Sequence, residues 1–297
     1  MMTAKTKIVP VLLVPVLLAT VAMATAAGAQ SKLVGVNAAI RNIVQVKAAG
    51  AGAYRRAVLK DRVSLGDDIQ TAAGSVLQIL LLDRTSFTVG SNAQVRIDRF
   101  VYDPARSASA VGASVAKGAF RFMSGKPTRG MPGQSSVTTP VGSIGVRGTI
   151  FEGAVGADAL RIARGEKAVG SVLAHASKAT LIVLRGPGEA TQGDEKAGAI
   201  DVTVDGRVVA VASPGMALFV GGPGQTPIGP FLISDAGLSA LHDLLRTSPN
   251  PSRRRARPAS IFMEGSPIVD DIFECDSGSF QQGPLPPIQN TGCGARL

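Results

Sequence analysis

Short apolar runs, broken by glycine, proline and small polar residues, recur along most of the chain with the spacing of β-strands. Val95, Ile97 and Val101 fall at even spacing with Arg96 and Asp98 between them, which predicts a half-buried strand. Phe87 and Val89 flank Thr88 in the same way, and Gly90-Ser91-Asn92 makes the next turn. Val76 to Leu82 is almost continuously apolar and predicts a strand covered on both faces. Val58 to Gly66 predicts a short strand closing on a glycine, whereas Leu33 to Val46 gives no clear element. A small-residue loop is expected at Arg106 to Ala113, followed by an alternating strand from Gly118 to Met123. Lys126 to Gln134, rich in glycine and proline, reads as an exposed loop. Strands resume from Ser136 to Val155, with Pro140 at an edge or bend because proline cannot donate to a ladder.

The second half keeps this style. Leu160 to Ala163, Ala168 to Leu173 and Ala179 to Leu184 read as short strands, and Met216 to Val220 as another. Asp201–Val204 and Arg207–Val211 form the clearest hairpin, joined by Asp205-Gly206, the dipeptide suited to a type I′ turn. One helix is expected over 234–246, capped by Ser234, with Leu238, Leu241, Leu244 and Leu245 on one face. Beyond it, proline, serine and arginine dominate residues 247–297, the composition of a flexible tail. The pattern therefore predicts an all-β fold of packed or solenoid-like antiparallel sheets with one C-terminal helix. Its parts are a leader at 1–29, a lead-in segment at 30–57, β segments at 58–155 and 156–233, the helix and the tail.

Charge and chemistry alter this picture at the ends of the chain. Lys5 and Lys7 precede an apolar run from Ile8 to Ala27 that closes on Ala27-Gly28-Ala29, the pattern of a cleavable signal peptide. Periplasmic or secreted localisation is the expectation. The formal net charge is +10, and part of it is local, in Arg253, Arg254, Arg255 and Arg257. In an exported protein such a cluster suits an anionic membrane surface or glycan, and nucleic acid is an unsuitable partner. The two cysteines, Cys275 and Cys293, could pair in an oxidising compartment, for roughly 3 kcal/mol.

Catalytic and metal-binding patterns are scarce. The chain has two histidines, His175 and His242, neither with a cysteine or carboxylate at ligand spacing. Gly118 to Lys126 has the wrong spacing for a phosphate loop, and Pro127 stands where serine or threonine is needed. No cofactor or metal is implied, and a non-enzymatic role is expected. Asp67-Asp68 reads as a solvated turn. Arg147, between Val146 and Gly148 in an apolar β segment, needs a partner if buried. Asp83 and Asp98 are the candidate partners. A clamp between sheet layers is preferred to an anion site.

The residues also resemble a known family. Gly66-Asp67-Asp68-Ile69-Gln70-Thr71, Leu80-Leu81-Leu82-Asp83-Arg84-Thr85 and Ser91-Asn92-Ala93 are similar to the first half of a FecR domain. Gly118-Ala119-Phe120-Arg121-Phe122, Val137-Thr138-Thr139-Pro140 and Ile144-Gly145-Val146-Arg147-Gly148-Thr149 resemble its second half. The resemblance covers roughly 58–155 and implies a compact all-β periplasmic module. The family's usual Asp-Gly-Ser turn is Asp83-Arg84-Thr85 here, which implies a looser or different turn. The best-known members are anti-sigma regulators relaying occupancy of an outer-membrane siderophore receptor, with a cytoplasmic segment before a membrane helix. A leader-like segment stands in that place here, so sigma-factor control is not carried over. The expected role is protein interaction or envelope signal sensing. The alternative is a structural envelope protein that binds cell-wall or surface polysaccharide through its β body or arginine-rich tail.

Overall fold

The computed structural model describes residues 32–105, 108–125, 135–187 and 198–247. The expected leader, the loop at 126–134, both cysteines and the arginine cluster lie outside the described residues. The strands are β1 (Leu33–Arg41), β2 (Val44–Lys47), β3 (Arg55–Arg56), β4 (Arg62–Ser64), β5 (Asp68–Thr71), β6 (Val76–Leu81), β7 (Ser86–Val89), β8 (Gln94–Asp103) and β9 (Ala108–Met123). There follow β10 (Ser135–Thr139), β11 (Gly142–Arg147), β12 (Ile150–Val155), helix α1 (Ala157–Ala163), β13 (Thr180–Gly186), β14 (Ala199–Val204), β15 (Arg207–Val211), β16 (Met216–Val220), β17 (Ile228–Leu232) and helix α2 (Asp235–Leu245). The fold is mainly β, as the alternation predicts.

The strands form two sheets. The first runs β4-β1-β6-β7-β9-β12-β13-β16-β17. The second runs β3-β2-β5-β8-β9-β10-β11-β14-β15. Among the described residues every pairing is antiparallel except β9 with β10. Strands from the segments expected at 58–155 and 156–233 pair with each other in both sheets, β12 with β13 and β11 with β14.

Strand β9 belongs to both sheets. Its first part pairs with β8 and β10, and its last part with β7 and β12. The change of sheet falls at Gly118, whose φ is +83°. A Cβ there would lie 2.2 Å from the Ala93 Cα, so only glycine fits both the dihedral and the space. Within the loop expected at Arg106 to Ala113, residues Ala108 to Ala113 are instead the start of this strand, because alanine, serine and valine suit a tightly packed centre.

The core lies between the sheets. Leu77, Ile79, Phe120, Phe122, Ile182 and Leu218 of the first sheet pack with Ile69, Val95, Ile97, Ile144 and Val202 of the second. Four of the ten phenylalanines form its centre. Phe87 stacks on Phe120 with centroids 6.3 Å apart, and Phe122 on Phe151 at 5.6 Å. Each buried ring adds about 1.5–3 kcal/mol through area removed from water. Gly153 is part of this packing, since a Cβ there would lie 2.6 Å from the Phe120 ring.

The opposite face of the first sheet is covered in part by the two helices. Ala119, Ala154, Leu181, Val183 and Phe219 pack there with Leu160, Ile162, Leu241 and Leu245. Strands β13 and β16 are therefore buried on both faces. The strand expected to be so covered, Val76 to Leu82, has Leu80 44% exposed and is buried on one face only. Leu160 to Ala163 is helical, not extended, because Ala159, Leu160, Ile162 and Ala163 make a helical stripe once Ala157 to Ala159 is included. Ala168 to Leu173 contains no strand, and Val58 to Gly66 contributes only Arg62–Ser64. Leu33 to Val46, unclear in sequence, supplies β1 and most of β2. The Asp205-Gly206 hairpin has the expected turn, with φ of +47° and +78°. Ser234 caps α2 as expected, its hydroxyl accepting from the Gly237 N–H at 3.1 Å.

Candidate functional site

Residues directly opposite one another in adjacent strands share a face, so the registers define rows across the first sheet. On its outer face one row runs Gln78, Thr88, Arg121, Glu152. The Arg121 Nε donates to Glu152 Oε1 at 2.7 Å and its Nη2 lies 2.6 Å from the same oxygen. The Arg185 Nε is 3.7 Å away. His242 of α2 brings its Nδ1 to 3.4 Å from Arg121 Nη2. The Glu152 side chain is only 2% exposed, and its Oε1 meets two guanidinium groups.

The next row on the same face is different in kind. It runs Val36, Leu80, Ser86, Met123, Ile150. Leu80 is 44% exposed, Met123 38% and the adjoining Leu82 47%, with Val36 and Ile150 half-buried. The helices lie over β9, β12 and β13 and leave this stripe open. An apolar row beside a rigid ionic row is the usual make-up of a protein contact surface.

A second feature lies on the outer face of the second sheet. A groove of about 310 Å³ is lined by Asp68, Gln94, Arg96, Asp98, Ser114, Thr138, Thr139 and Pro140. The Tyr54 hydroxyl donates to Asp68 Oδ2 at 2.8 Å, and Gln94 Nε2 donates to it at 3.1 Å. Burial, then the bonded Asp68 carboxylate, raises the Tyr54 phenol above its ordinary pKa. Val95, Val115, Ala116 and Pro140 also line the groove, so its polar groups are set in a largely apolar surface.

The residues singled out in the sequence are scattered over this framework. Asp98 and Pro140 line the groove, Asp98 accepting from the Ser114 hydroxyl and Pro140 turning the chain from β10 to β11. Arg147 pairs with Asp201 at 3.1 Å, not with Asp83 or Asp98. Both side chains of this pair are over a third exposed, on the outer face of the second sheet, so it joins β11 to β14 within one layer rather than clamping two layers. Gly148, at φ +63°, turns β11 into β12. Asp83 accepts from the Thr85 N–H at 2.9 Å, the Thr85 hydroxyl at 2.8 Å and the Ser109 hydroxyl. Arg84 takes φ +68° in the turn between β6 and β7. The expected solvated turn at Asp67-Asp68 is instead buried, both residues being under 7% exposed. Asp67 accepts from the Ser64 N–H at 2.9 Å and the Ala49 N–H at 3.3 Å.

The Arg121–Glu152 pair escaped the sequence reading, although its signal was present. Both are charged residues inside apolar strands, the criterion that singled out Arg147. His175 is exposed beside Ser177, and His242 faces Arg121. Among the described residues no group of three metal-ligating side chains occurs, and no helix is long and apolar enough to cross a membrane.

Comparison with known proteins places these features. The family model described as FecR protein matches residues 67–187, which runs from the buried Asp67 to the end of β13. No curated protein matches the chain. Two crystal structures of a candidate anti-sigma factor from Parabacteroides distasonis are similar to it over 54% of this chain and 57% of theirs. The first has 14% identity and a TM-score of 0.35, the second 13% and 0.32. The matched region thus spans little more than half the length of those chains.

Proposed function

We propose that this chain, which carries a FecR domain over residues 67–187, is a non-catalytic envelope module that binds a protein partner and senses its state. The single observation that carries the reading is the set of exposed apolar side chains Leu80, Leu82 and Met123 beside the fixed Arg121–Glu152 pair. An apolar stripe of this kind gains from burial against another protein, and the ionic row fixes the backbone beneath it. The leader-like residues 1–29 support an exported location, periplasmic or secreted.

Leu80→Glu and Met123→Glu test it. Both side chains are exposed, so the fold is retained while the apolar contact is lost. A photo-cross-linker at Leu80 is expected to trap one envelope protein, and both substitutions to abolish the adduct. An adduct that forms equally in the charged variants rules out this face.

A second reading has its own observation. The groove of the second sheet sets the polar groups of Arg96, Gln94 and Thr138 around Pro140 in a largely apolar surface, which suits the hydroxyls and apolar face of a sugar, and Arg253–Arg257 would tether the chain to an anionic polymer. Deletion of residues 247–297 and Arg96→Ala would then release the protein from purified cell wall, whereas Leu80→Glu would not.

A further inference from the structure

Among the described residues each sheet ends in two edge strands, and three of the four are poor templates for pairing. Strand β3 is two residues long and is made of exposed Arg55 and Arg56. Strand β4 is three residues long and begins with an exposed arginine, Arg62. Strand β17 contains Pro230, which has no N–H to offer. Short, charged and proline-containing edges are the standard defences against unwanted strand addition. Strand β15 is longer than β3 and β4 and has no proline, and its one charged residue, the exposed Arg207, sits at the turn end. It is a regular five-residue strand, Arg207-Val208-Val209-Ala210-Val211, that pairs with β14 among the described residues. It also lies beyond the residues 67–187 that the family model matches.

The hairpin geometry fixes which groups this edge presents. In a two-residue hairpin the residues flanking the turn, Val204 and Arg207, form a hydrogen-bonded pair. Pairing then alternates, so Arg207, Val209 and Val211 turn their N–H and C=O toward β14, and Val208 and Ala210 turn theirs away. Val208 is 61% exposed and Ala210 is exposed beside it on the outer face.

We infer that β15 pairs antiparallel with the β15 of a second copy of this chain, about a two-fold axis through Val209, joining the two second sheets. The register follows from the free groups. With Val209 on the axis, Val208 of one copy opposes Ala210 of the other and both outward-facing residues exchange N–H···O=C bonds twice. A register centred on Val208 brings the Gly206 turn into the ladder, and one centred on Ala210 runs past the end of the strand at Val211. The central register also sets exposed valine against exposed alanine and places Arg207 opposite Val211, so no like charges meet. The sequence of β15 is thus complementary to its own reverse, which is what a two-fold interface requires.

The contact is small, so the dimer forms at roughly 100 μM rather than at nanomolar concentration. The full chain is followed by sedimentation velocity from about 5 to 500 μM, with amide hydrogen exchange at both limits. A monomer–dimer equilibrium is expected, with Val208 and Ala210 gaining protection as the dimer forms. Ala210→Pro removes an outward N–H and leaves the β14 ladder intact, and Val208→Lys places a charge on the edge at an exposed site. Each is expected to weaken the dimer by about tenfold or more, with the melting temperature at low concentration unchanged. A chain that stays monomeric at the upper limit overturns the inference, as does a dimer that neither substitution weakens. Protection of Val208 and Ala210 where only monomer sediments would place some other strand on this edge and overturn it equally.

Discussion

Arg121 and Glu152 face each other across β9 and β12 at 2.6 Å, the carboxylate buried and the guanidinium about a quarter exposed. The second carboxylate oxygen, Oε2, has no hydrogen-bond partner among the described residues, so the charge rests on the Arg121 contact with help from Arg185. Removing Arg121 strands a buried charge. Arg121→Met is expected to cost about 3 kcal/mol in urea unfolding, the low end for such pairs because Arg185 remains. The double variant Arg121→Met with Glu152→Met is expected to recover most of it, since it replaces the pair by apolar groups of similar volume. A double variant as unstable as the single one would count against the pair.

Gly118 and Gly206 provide a matched comparison. Both have positive φ, +83° and +78°, but only Gly118 is enclosed. Alanine at 206 meets nothing within 4 Å and is expected to cost about 1 kcal/mol, the left-handed penalty alone. Alanine at 118 adds a collision with the Ala93 backbone and is expected to cost several times as much, or to prevent folding. Thermal unfolding of the two variants measures the difference directly.

Arg84 holds a left-handed conformation at φ +68° in the turn between β6 and β7. Glycine would relieve about 1–2 kcal/mol of backbone strain and lose roughly 0.5–1 kcal/mol through greater freedom of the unfolded chain. Arg84→Gly is therefore expected to stabilise the fold slightly, by about 0.5 kcal/mol. A clear loss of stability would show that the arginine side chain does more than occupy the turn.

Glu166, buried just after α1, ties the two helices together. It accepts from the Ser234 N–H at 3.0 Å and from the Ser234 hydroxyl at 2.8 Å, while that hydroxyl caps α2. Ser234→Ala is expected to cost about 1 kcal/mol through the lost cap. Glu166→Ala, which strands a buried backbone donor and the hydroxyl, is expected to cost about 2–3 kcal/mol. Chemical denaturation of the two variants checks the order.

The sequence carried most of the strands, because alternation records which face of a single strand is buried. Strands β7, β8, β11 and β16 and the β14–β15 hairpin were legible in this way. It could not show which strands a helix covers. Val76 to Leu81 and Thr180 to Leu184 are equally apolar, yet only the second lies beneath the helices. Strand β9 was half legible, since its phenylalanines announce the first sheet while its alanines and serines resemble a loop. Ion pairs were the least legible. Arg147 has its partner 54 residues away in β14, and nothing local distinguishes Asp201 from Asp83 or Asp98.

A strand shared by both sheets also sets the order in which the molecule can assemble. Strand β7 is complete at Val89, yet its partner on one side is the stretch Phe120–Met123, and that stretch in turn awaits β12. A nascent chain emerging N-terminus first therefore holds an open ladder in the first sheet until β12 and β13 appear, and one in the second until β14 follows. Until Phe151 arrives with β12, Phe120 and Phe122 lack the ring that both of them meet in the finished core.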